Sequence, residues 1–172
     1  MLVNQKIVSC LTLLLIWASQ IVEQRAPKPN TLFLMAQDGK WGYINQAGRI
    51  MIRPTFDDAG HFSEGLAPVE VNNKWGYIDR AGKIAIKPQF DDADQFSEGA
   101  ARIAIGEKFG FINQAGDVIV KPQFDGAWYF SDGLALVELN QKWGFIDKAG
   151  KFVVNPQFDF ANDFSEGLAA CP

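Results

Sequence analysis

From residue 41 onward, apolar side chains alternate with polar ones in short runs. "WGYID" (75–79) alternates Trp75 and Tyr77, "KIAIKP" (83–88) alternates Ile84 and Ile86, and "LAPVEVNN" (66–73) alternates Val69 and Val71. A spacing of two, filled by β-branched and aromatic residues, predicts strands. Between the first two runs stands "DRAG" (79–82), and equivalent places read NQAG, NQAG and DKAG. Asn or Asp at the first turn position accepts hydrogen bonds from the backbone that follows it, and Gly at the last takes a positive φ. The expected element is a β-hairpin whose turn is type I with a bulge. A proline closes the second run, placing it at a strand end or on a sheet edge. The stretch "FDDADQFSEG" (90–99) predicts a compact connector. Its Asp can cap a single helical turn with Ala93 and Phe96 on one side, and Gly99 takes a left-handed turn position.

This pattern recurs every 34 residues. Trp41, Trp75, Phe109 and Trp143 open the units, and a glycine follows each: Gly42, Gly76, Gly110 and Gly144. Prolines 54, 88, 122 and 156 and phenylalanines 56, 90, 124 and 158 recur too, as do Phe62, Phe96, Phe130 and Phe164. The units run 41–74, 75–108, 109–142 and 143–172, the last incomplete, with a half-repeat strand at 31–40. A period of 34 also belongs to helical tetratricopeptide arrays. The mid-unit proline and the several glycines per unit oppose helices. The fold expected is all-β, an open array of four three-stranded antiparallel repeats. A closed, propeller-like ring is the alternative, with the 31–40 strand completing the last unit. One such unit cannot bury its apolar face alone, and stacking makes the core continuous.

The repeated K-[WF]-G-[YF]-I-[ND]-x-x-G…P-x-F…F-S-[ED]-G resembles the WG-repeat family, also called KWG repeats, over residues 31–172. The resemblance implies a β-rich repeat protein, mostly bacterial and often exported. It implies no particular activity.

The N-terminus follows a different pattern. "IVSCLTLLLIWA" (7–18) is a continuous apolar run after Lys6, followed by polar "SQ". That is the layout of a secretory signal over residues 1–18, with a linker at 19–30 containing "APKPN". Twelve apolar residues fall short of the about 20 that a membrane span needs. Extension to Val22 makes an uncleaved anchor over 7–22 the alternative. "IVSC" is no lipoprotein box, because its apolar run follows the cysteine. The protein is expected to be exported, periplasmic or extracellular, and to meet a membrane only through this segment if it is uncleaved.

Composition narrows the chemistry. Of 172 residues 48% are hydrophobic, the net charge is −4 and no basic block occurs, which disfavours a nucleic-acid partner. His61 is the only histidine, so a site needing two imidazoles is excluded. Phosphate-cradling glycine loops are absent, and no cofactor is expected. Cys10 and Cys171 make no disulfide framework. His61 lies near Ser63, but the other units carry Gln95, Tyr129 and Asp163 in its place, which reads as a surface column. The recurring acids Asp57, Asp91, Asp125 and Asp159, and Glu64, Glu98, Asp132 and Glu166, match no calcium-loop pattern. They read as turn and cap residues. Their fourfold equivalence also argues against a hydrolase, which needs two acids in unlike environments. The tryptophans at 41, 75 and 143 read as core instead of sugar platforms, because Phe109 substitutes for them.

The columns that vary are the more informative ones. Before the second Phe the units read Gly60-His61, Asp94-Gln95, Trp128-Tyr129 and Asn162-Asp163. Variation at one place on a fixed scaffold marks a candidate binding face. The function expected is a non-catalytic exported module, binding a protein or acting as a scaffold at the cell envelope. The alternative is a carbohydrate-binding module.

Overall fold

The computed structural model divides into Met1–Thr31 and Leu32–Pro172. It describes residues 31–161 and the short strands 164–165 and 168–169. The signal, anchor and linker expectations lie outside the described residues, as do Asn162, Asp163 and both cysteines. Among the described residues no helix is long and apolar enough to cross a membrane.

The repeat region is all-β. It begins with β1 (Phe33–Gln37), β2 (Lys40–Ile44) and β3 (Ile50–Phe56), one antiparallel sheet in that order. The second sheet holds β4 (Asp58–Ala59), β5 (Leu66–Val71), β6 (Lys74–Asp79) and β7 (Ile84–Phe90). The third repeats it with β8 (Asp92–Ala93), β9 (Ala100–Ile105), β10 (Lys108–Asn113) and β11 (Val118–Phe124). The fourth has β12 (Gly126–Ser131), β13 (Leu134–Leu139), β14 (Lys142–Ile146) and β15 (Phe152–Phe158). A pair, β16 (Phe164–Ser165) and β17 (Leu168–Ala169), follows. Among the described residues no ladder joins β1 to this pair, and the array is not closed.

The three strands expected in each unit are present, and each sheet straddles a sequence-repeat boundary. The connector departs from the helical turn expected of it. Asp58-Ala59 and Asp92-Ala93 pair with Glu70-Val69 and Ala104-Ile103, adding a short fourth strand to the sheet. The capping role fails because the carboxylates are committed elsewhere: Asp57 takes Lys40 and the amide of Asn72, Asp91 takes Lys74 and the amide of Gly106, and their own amides donate into the ladder, to Glu70 O and Ala104 O at 2.9 Å. In the third unit this connector is extended throughout, as β12.

The hairpin turns follow their sequence. Asn45 Oδ1 accepts from the amides of Ala47 and Arg49 at 3.0 Å, and Gly48 takes φ +73°. Each proline lies inside its strand, on the sheet edge formed by β3, β7, β11 or β15, where its missing N–H leaves no ladder bond unmade. The glycine after each aromatic permits close backbone approach. A Cβ at Gly76 would stand 2.5 Å from both Ile86 O and Pro88 N, and the register shifts at this point in the ladder.

The core lies between consecutive sheets. One cluster joins Tyr43, Ile52 and Phe56 of the first sheet to Ala67, Val69 and Ile78 of the second. Another joins Tyr77, Ile86 and Phe90 to Ile103 and Ile112 of the third. A third joins Phe111, Val120 and Phe124 to Val137 and Ile146 of the fourth. Each sheet therefore buries its faces only against its neighbours, as the stacking argument requires.

Candidate functional site

A groove of about 700 Å³ opens across the second, third and fourth sheets, beside the edge strands β8 and β12. The second sheet and its connector contribute Gly60, His61, Pro68 and Trp75. The third adds Asp92, Asp94, Gln95, Arg102 and Phe109. The fourth adds Gly126, Trp128, Tyr129 and Trp143.

The repeat chemistry explains this convergence. In the first three units the connector pairs with the strand that follows it, β4 with β5, β8 with β9 and β12 with β13, and its variable residues line the groove. In units one and two a tyrosine pins that backbone: Tyr43 Oη donates to Gly60 O and Tyr77 Oη to Asp94 O, each at 2.7 Å. Burial pushes both phenols well above their ordinary pKa. The pinned turn is backed by ring pairs at equivalent places, with centroids 4.8 Å apart for Tyr43–Phe62, 4.9 Å for Tyr77–Phe96 and 4.8 Å for Phe111–Phe130. In unit three the register of β12 against β13 slips by one residue between Ala127 and Phe130, so Trp128 and Tyr129 together oppose Leu136. A bulge re-aims side chains. Here it leaves Trp128 49% and Tyr129 45% exposed, with their rings 6.4 Å apart and inclined at 62°.

His61, Asp94, Gln95, Trp128 and Tyr129 therefore all line one groove, while Asn162 and Asp163 fall outside the described residues. Sequence reasoning missed Arg102. Its guanidinium donates from Nε to Asp94 Oδ2 at 2.7 Å, from NH2 to Asp92 Oδ2 at 3.1 Å, and from NH1 to the carbonyl of Ala127 at 3.4 Å. It lies 4.7 Å from the centroid of Phe109. The signal was visible in the chain: Pro68 and Leu136 fill the same column, and an arginine among them is the odd residue. The opening aromatics were read as core, and they are half-buried. Trp75 packs on one cluster and Trp143 on another, yet both also present surface to the groove.

The recurring acids have structural partners. Lys40, Lys74 and Lys108 pair with Asp57, Asp91 and Asp125, whose Oδ2 atoms accept the amides of Asn72, Gly106 and Asn140 at 2.7–2.8 Å. The lysine hydrogen bond, and after it the amide, hold these carboxyls below the usual range. Glu64 and Glu98 reach into the next unit, accepting the amides of Gly99 and Gly133 at 3.0 Å. Ser63 Oγ donates to Phe96 O at 2.6 Å, which commits its hydroxyl to the same inter-unit junction and away from His61. Among the described residues no group of three or more His, Cys, Asp or Glu is placed to hold a metal.

No curated protein matches this chain. Among solved structures it is similar to a plant lectin with two metal binding sites from Cicer arietinum, at 12% identity and TM-score 0.31, covering 71% of this chain and 84% of that one. It is similar to a 2S albumin seed protein from Dolichos at 15% identity and TM-score 0.31, covering 73% and 82%. It is also similar to the hemopexin fold protein CP4 from cow pea, at 15% and 0.30, covering 76% and 92%. The family model described as "WG containing repeat" matches residues 41–75, 75–109, 109–143 and 143–170 in succession, and with those four matches the chain belongs to the WG-repeat family.

Proposed function

We propose that this protein is a non-catalytic binding module, exported to the cell envelope, that engages a protein partner through the groove. One observation carries the reading. The columns that vary between units and the aromatic column that recurs meet at a single opening about 700 Å³ in volume, inside the 300–1,000 Å³ range of ligand sites. Trp128 and Tyr129 supply half-exposed aromatic area of the kind that anchors protein interfaces. A non-catalytic role is supported by the duties of the recurring acids, which clasp lysines and turn amides. Export is supported by the apolar run at 7–18.

The test is a photo-crosslinking residue placed at Tyr129 and, as a control, at Val153, which is 56% exposed and does not line the groove. A discrete protein adduct from position 129 and none from 153 is the expected result. Adducts of equal yield at both positions would sink the reading. The carbohydrate-binding alternative draws on the aromatic lining, and binding on a glycan array that is abolished by Trp128→Ala would establish it instead.

A further inference from the structure

We propose that the groove selects a cationic side chain, arginine or lysine, presented by an extended segment of the partner protein. This rests on the groove being the binding site, and adds the chemistry of what enters it.

The protein's own Arg102 shows how the groove treats a cation. Its guanidinium lies over the Phe109 ring and is gripped by two carboxylates and a carbonyl. The same ring column is Trp143 in the next unit, where Leu136 stands in place of the arginine. The fourth sheet thus repeats the aromatic half of the arrangement without an internal cation at the equivalent place. Acid is already beside it. Asp92 and Asp94 each spend Oδ2 on Arg102 and keep side chains that are 46% and 45% exposed. Glu138 lies opposite Trp143 in the ladder, and its Oε2 approaches within 2.9 Å of where a Cβ on Gly126 would be. Gly126 replaces Asp92 of the previous unit and leaves that approach open.

The balance of charge at the site is acidic. Two groove carboxylates, of Asp92 and Asp94, grip one guanidinium that is already bonded on three sides, and Glu138 adds a third carboxylate beside Gly126 and Trp143. Aromatic faces beside carboxylates attract guanidinium and ammonium groups. The Trp128 and Tyr129 rings meet edge-on at 62° and 6.4 Å, and both line the groove, adding half-exposed aromatic surface beside the carboxylates. The groove is far larger than one side chain, which leaves room for the neighbouring residues of an extended segment. The chain's net charge of −4 favours encounter with a cationic segment.

The experiment is calorimetric titration of the full chain with four probes. They are a blocked Ala-Arg-Gly-Arg-Ala peptide, its citrulline counterpart, its glutamate counterpart, and cellohexaose. Citrulline keeps the shape of arginine and removes the charge. The arginine peptide should bind at least about tenfold tighter than the citrulline peptide, a ratio of the size expected for a partly desolvated cation on an aromatic ring. The glutamate peptide should not bind, and affinity should fall as salt rises. Trp128→Ala should weaken the arginine peptide about fivefold or more, since an exposed side chain is removed without touching the core. The double variant D92N/D94N should remove most of the discrimination against citrulline, with an unchanged far-ultraviolet spectrum. If that variant unfolds, Trp128→Ala and the salt series decide. Equal binding of arginine and citrulline peptides overturns cation selection and leaves the groove as a binding site. Binding of cellohexaose in preference to every peptide overturns the polypeptide ligand, and binding of none of the four overturns the cation proposal.

Discussion

A Cβ at Gly110 would lie 2.5 Å from Val120 O and 2.6 Å from Pro122 N, both backbone atoms that cannot move aside. Gly133 is constrained differently: its φ is +80°, and a Cβ there would meet nothing within 4 Å. The two glycines separate a steric cost from a conformational one. Gly110→Ala should destabilise by about 3 kcal/mol, the upper end for forced overpacking. Gly133→Ala should cost about 1–2 kcal/mol, the penalty of a left-handed L-residue. Urea midpoints of the two variants decide it, and the reverse order would show that the strands can part around residue 110. The tyrosine column offers a milder change. Tyr77→Phe removes the hydrogen bond to Asp94 O and should cost about 1 kcal/mol while leaving the fold intact. Phe111 and Phe145 already occupy that column without a hydroxyl.

At the scale of elements, the connector strand is tied down by its leading aspartate. Asp57, Asp91 and Asp125 each join the lysine that opens β2, β6 or β10, 17 residues earlier, to an amide of the turn after β5, β9 or β13. Their folded pKa values lie below the ordinary one, held there first by the lysine hydrogen bond. A depressed carboxyl stabilises the fold above its unfolded pKa, and that contribution is lost as pH falls through the folded value. The triple variant D57N/D91N/D125N should therefore unfold at lower urea than the parent at pH 7, and the gap should close toward pH 3. A gap that stays constant with pH would mean that the asparagines disturb geometry instead of charge. The hairpins and their turns were legible from alternation and from the Asn/Asp and Gly positions, because those signals are local. The connector was misread because Asp-Asp-Ala also suits a helical cap. What decides its conformation is the ladder to β5 or β9, a pairing that no short window contains. Arg102 escaped for a similar reason: only the fold brings it against Asp92, Asp94 and Phe109.

Across the whole molecule, stability resides at the junctions between sheets, so the cost of a defect depends on where along the array it falls. The 34-residue period made the stacking legible, while the convergence of variable columns from three units on one groove needed the sheets in place. Consecutive units are joined by Ser97 Oγ to Phe130 O at 2.8 Å, by Glu98 to the amide of Gly133, and by the packing of Gly150 against Val120. Phe124 is 1% exposed in the cluster between the third and fourth sheets, with Phe152 edge-on at 6.1 Å. Phe56 is 7% exposed, and its sheet has three strands and, among the described residues, one neighbouring sheet. Phe124→Ala should cost about 3–5 kcal/mol, because sheets packed on both sides prevent the cavity from collapsing. Phe56→Ala should cost less, since the outer sheet can relax toward the vacancy. The same ranking should hold for Gly110→Val against Gly42→Val, whose Cβ contacts with backbone are nearly identical at 2.5 and 2.6 Å, so that local sterics cancel and position remains. Urea unfolding of the four single variants reads the difference. Equal losses at the outer and inner positions would mean that the first sheet also has two full neighbours, as in a closed ring, and would overturn the open array.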